Sequence, residues 1–164
     1  MNEFVNYGKR SITLPEGCKD LIDVLRLDKP TSGPDTGEPG SLADVEAHIA
    51  RQLQAAAKAS ILVILWGDAV NIIQVVLIKG TLNLFACMKA EGPTEVAVRE
   101  VFEQAGIPLA HEPLKTLAVP TQVLGWQLPG TAGGAARLIC DLLRCGYGVA
   151  EAARLEFYYV EEPA

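Results

Sequence analysis

The chain has 164 residues, 49% of them apolar, and a formal net charge of -6. This is the size of one domain with a substantial core, and the apolar content with a positive mean hydropathy excludes a wholly disordered chain. The acidic balance opposes a nucleic-acid binder, which needs a basic face to displace counterions, and the longest basic cluster is Lys9–Arg10.

Residues 1–17 contain no apolar core of the kind a secretory signal needs. The most apolar region, Ile61–Ile78, is broken by Gly67–Asp68 and interrupted by Asn71 and Gln74, so no spanning helix is expected. A soluble cytoplasmic protein with reduced thiols follows as the expectation. No C-x-x-C occurs. Cys140 and Cys145 are five apart on a predicted helix, pointing about 140° apart, so neither a local disulfide nor a shared metal is expected.

Residues 1–14 read as extended, with a bend at Tyr7–Gly8. Pro15–Glu16 opens a short helix whose apolar positions Cys18, Leu21, Ile22 and Leu25 follow helical spacing. Together they make an arm, residues 1–26. Residues 27–40, LDKPTSGPDTGEPG, hold three prolines and three glycines and read as a linker. A flexible linker of that length spans roughly 20 Å, so exchange of the arm between copies is geometrically open.

Residues 41–164 read as a single α+β domain. Its first helix starts at a Ser41/Asp44 capping pattern, with Leu42, Val45, Ile49 and Leu53 as its stripe, and runs into alanines up to Ala59. Three strands follow, Ile61–Trp66, Val70–Ile78 and Thr81–Met88, separated by the turn signals Gly67–Asp68 and Lys79–Gly80. The second of these is apolar on both faces, so both need cover, from the chain's helices or from another subunit. A helix spans Pro93–Ala105 and stops at Gly106. Weaker extended segments fall at Thr116–Val119 and Gln122–Leu128, then a helix at Ala132–Cys145 and a last strand at Arg154–Val160. The expected fold is an antiparallel sheet of about five to seven strands against three to four helices, in the body order α-β-β-β-α-β-β-α-β. Trp126 is expected to meet Phe157, Tyr158 and Tyr159 if their strands pair, with Tyr158 partly exposed.

Chemistry-bearing patterns are few. LPGTAGGAAR, Leu128–Arg137, resembles a phosphate loop only in its glycines. Ala135, Ala136 and Arg137 stand where Gly, Lys and Ser/Thr are needed, and the dinucleotide spacing fails at Ala132 and Ala135. A turn at Pro129–Gly130 with an N-cap at Thr131 accounts for it. An anion cradle of Gly130, Thr131, Gly133, Gly134 and Arg137, with His111 or Arg144 nearby, is the alternative. His48 falls on the wet side of its helix, one turn after Asp44. His111 lies in a proline-flanked loop, and a pairing with Cys87 is open. No metal, cofactor or catalytic set is expected. The leading expectation is a non-enzymatic protein-interaction or scaffold domain, a homodimer that also meets an unidentified protein, with Ile72, Val76, Ile78 and Tyr158 as interface candidates.

Overall fold

In the computed structural model the described residues are 3–7, 10–14, 38–55, 57–67, 72–89, 91–115 and 121–163. The Val/Ile-rich middle of the chain forms three long strands, β4 (Ala57–Trp66), β5 (Ile72–Ile78) and β6 (Thr81–Lys89), after β1 (Glu3–Tyr7), β2 (Arg10–Leu14) and β3 (Glu38–Gly40). Lys79 and Gly80 turn β5 into β6 with φ of 51° and 78°. A two-residue turn with both φ positive matches the twist of paired strands, and glycine takes the second position without strain. Helix α1 (Val45–Gln54) precedes β4, α2 (Pro93–Gln104) follows β6, and then come β7 (His111–Lys115) and β8 (Thr121–Gln127). Helix α3 (Ala132–Asp141), prolonged by a π turn at Leu142–Gly146, and β9 (Leu155–Pro163) complete the order. From α1 onward this follows the expected body order in outline, and the fold is α+β.

The strands form one antiparallel seven-stranded sheet in the order β3-β9-β4-β5-β6-β8-β7, and β1 and β2 pair as a separate two-stranded sheet. The last strand of the chain thus lies between β3 and β4. Both edges carry a proline, Pro39 in the three-residue β3 and Pro113 in β7, whose register is also irregular between His111 and Leu114. Proline cannot donate to a ladder, so it belongs on an edge.

The three described helices share one face. Val45 and Ile49 of α1, Phe102 of α2 and Ile139 of α3 pack on Ile64, Ile73, Leu84 and Leu124, all essentially inaccessible to solvent. Phe102 stacks flat on Trp126, with ring centroids 3.9 Å apart. Trp126 therefore does not meet the C-terminal aromatics, because β8 and β9 lie on opposite sides of β4–β6. Among the described residues no helix is long and apolar enough to cross a membrane.

Several boundaries differ from expectation for physical reasons. The alanine run does not prolong α1, which ends at Gln54. From Ala57 the chain is committed to ladders with β9 and β5, and tertiary pairing outweighs alanine's helix preference. Glu38–Gly40, the end of the expected linker, is strand. His111 is in a strand, not a loop. The helix at Ala132–Cys145 changes to π geometry at Leu142, with Tyr147 N–H donating to the Leu142 carbonyl at 3.2 Å. The expected helix after Pro15, most of the linker, Asp68 and Thr116–Val119 lie outside the described residues.

Candidate functional site

The glycine-rich turn resolves into a helix start. Thr131 caps α3, its hydroxyl accepting from the Gly134 N–H at 3.1 Å. A Cβ on Gly134 would come within 2.8 Å of that hydroxyl and 3.1 Å of Pro129 Cβ, which is why glycine stands there. A Cβ on Gly133 would come within 3.3 Å of the Glu46 carboxylate, whereas Gly130 has open space around it. The carboxylate of Glu46 thus lies against the positive end of the α3 dipole, the position an anionic ligand would take. Arg137 is exposed and roughly 9 Å along the helix from the cap. Arg144 is engaged by Glu151, whose hydrogen bond raises its pKa, and by Asp141 at 3.8 Å. His111 opens the edge strand β7 opposite Gly125, so it belongs to the sheet while the turn belongs to the helix layer. Cys87 pairs with Val123, and β8 stands between it and His111.

The larger feature is the face of the sheet turned away from the helices, the outer face. Strand alternation and register build it in rows. One runs Tyr158–Val63–Gln74–Phe85–Gly125 across five strands, and a neighbouring row contains Ile61, Val76 and Asn83. Ile61, Val63, Leu65, Val76, Phe85 and Tyr158 are all buried, none more than 7% exposed, yet none belongs to the core cluster made with the helices. The interface candidates fall in this region. Val76 is buried within the chain, Ile78 is half-buried at the end of β5, and Ile72 pairs with Leu65. Tyr158, expected to stay partly exposed, is buried, and its hydroxyl donates to Glu156 at 3.3 Å. Among the described residues Val96 is the one large apolar side chain left in solvent, so the apolar excess of the composition went into this second buried face.

Two polar features escaped the sequence. His48 is buried against β9 rather than solvated, its ring stacked on Phe157 at 3.9 Å and 16°. Burial lowers its pKa; Glu38 and Asp44 act to raise it and Arg51 to lower it. Gln52, fully buried, donates to the Val75 carbonyl at 2.9 Å and the Ser60 hydroxyl at 3.2 Å, tying α1 to β4 and β5. Their partners lie far along the chain or across a turn, and no local pattern marks them. Cys140 donates to the Leu42 carbonyl at 3.4 Å, and burial pushes its thiol pKa up, away from a reactive thiolate. Among the described residues no three His, Cys, Asp or Glu side chains gather as a metal site.

No protein-family profile matches the sequence, and no curated protein is similar enough to it to stand as a relative.

Proposed function

We propose that this chain is a non-enzymatic protein-interaction or scaffold domain that acts as a homodimer. The observation that carries this reading is the outer sheet face, apolar at Ile61, Val63, Leu65, Val76 and Phe85 and outside the core cluster made with the three described helices. An antiparallel sheet that needs only one core usually turns a polar, alternating face to water. This one has two apolar faces, the second of them already covered within one chain, so a partner copy would meet that cover or take its place.

The alternative, a domain binding a small phosphate-containing anion at Gly130–Gly134 with Arg137, has less support. The Glu46 carboxylate occupies the neighbourhood of the free amides, and Thr131 already satisfies one of them. An anion would have to displace one negative group and compete with a hydroxyl.

Native mass spectrometry of the full chain tests the proposal. The expected result is a species of twice the 17.5 kDa chain mass. A single-chain mass at micromolar concentration would overturn the homodimer.

A further inference from the structure

We infer that the contact between α1 and the sheet is a binding site for one resident water molecule, hydrogen-bonded to Gln52 Oε1 and Ser60 Oγ. The inference is independent of the homodimer reading above.

Gln52 lies on the same face of α1 as the core residues Val45 and Ile49, and it is 0% exposed. Ser60 of β4 is also 0% exposed, and strand alternation puts it on the face that carries Leu62 and Ile64 under the helices. Two polar side chains therefore meet inside an apolar core.

A primary amide has two N–H donors and an oxygen that accepts. The donor end of Gln52 is fully used. Nε2 donates to the Val75 carbonyl at 2.9 Å, to Ser60 Oγ at 3.2 Å and to the Ser60 carbonyl at 3.4 Å. These contacts fix which way the amide points, because turning it over would set Oε1 against two carbonyl oxygens that can only accept. The orientation leaves Oε1 buried with no protein donor, and among the described residues it is the one buried side-chain polar atom in that position. A buried acceptor left unpaired costs more than an ordinary hydrogen bond contributes. In folded proteins such atoms are met by protein groups or by ordered water.

Ser60 supplies the second contact. Its oxygen accepts from Gln52, which leaves its own O–H to donate, and among the described residues the Gln52 amide is the hydroxyl's one partner. The nitrogen and oxygen of an amide share a carbon, so a group bonded to Nε2 lies within one water's reach of Oε1. The water donates to Oε1 and accepts from the Ser60 O–H, the two bonds that a buried water needs at minimum. Neither group is charged, so the pair selects a neutral molecule able both to give and to take a hydrogen bond. Water is the smallest that does so. Its seat completes a polar link between α1, β4 and β5.

A crystal structure of the full wild-type chain that resolves ordered solvent tests the assignment. A density peak within hydrogen-bond distance of both Gln52 Oε1 and Ser60 Oγ is expected. Oε1 without such a peak, or accepting from a protein donor, overturns it. Magnetic relaxation dispersion of the water oxygen gives a second reading without a crystal. The wild type should hold one more long-lived water than Gln52→Met, whose thioether fills a similar volume but does not replace the amide. Equal counts in the two folded proteins overturn the inference.

Discussion

His48 shows how one side chain couples the body to the strand that leads in from the arm. Its ring lies on Phe157, and Phe157 pairs with Glu38 of β3. A Cβ on Gly40 would come within 2.9 Å of the same Phe157 ring and 2.8 Å of the Asp44 carboxylate, so β3, the start of α1 and β9 close around the imidazole. Burial holds its pKa below the ordinary 6.5 in the folded state. The unfolded chain therefore binds the proton more readily, and the stability contribution is complete above about pH 6.5 and declines as pH falls from there through the folded value. The denaturation midpoint of the wild type should drop between pH 7.5 and 5.5, and His48→Phe, which keeps a ring on Phe157, should remove part of that drop. Urea titrations at the two pH values check it. An equal drop in both proteins would assign the acid sensitivity elsewhere.

At the scale of elements, the start of α3 offers a paired comparison. Gly133 has only the flexible end of Glu46 near its missing Cβ, whereas Gly134 has the capping hydroxyl of Thr131 and the ring of Pro129. Gly133→Ala should stabilise by up to about 0.5–1 kcal/mol through helix preference. Gly134→Ala should forfeit that gain, since losing the Thr131 cap costs about 1 kcal/mol. Thermal melts of the two variants decide it; equal melting points would mean the cap contributes nothing. The elements legible in the sequence were those with local causes. Lys79–Gly80 marked its turn, Gly106 with φ 74° stopped α2, and Pro129–Thr131 started α3. Elements set by distant partners were not legible. Nothing near His111 announces that β8 draws it into an edge strand, and nothing near Ala57 announces that β9 arrives from the end of the chain. The candidate site divides the same way. The doubly apolar β5 could be read directly, whereas the carboxylate beside the glycine turn comes from α1, more than 80 residues earlier in the chain.

For the whole molecule the decisive feature is that the chain's end, β9, is inserted beside β4 and holds β3 against the sheet. The body is thereby closed near its own tether, and the seven strands terminate at β3 and β7. Those two strands have a consequence for assembly. Each carries a proline, one is three residues long and the other is irregular, so neither offers the unbroken row of amides and carbonyls that recruits another strand. In the proposed homodimer, contact across a face between two copies is reciprocal and leaves nothing of that face for a third copy. Light scattering should therefore give a mass that plateaus with rising protein concentration, whereas a mass that keeps climbing would show that an edge is open. The two edge prolines act as end-stops, giving an acidic, strongly apolar chain a finite stoichiometry where an open-edged sheet of the same composition would be a seed for fibres.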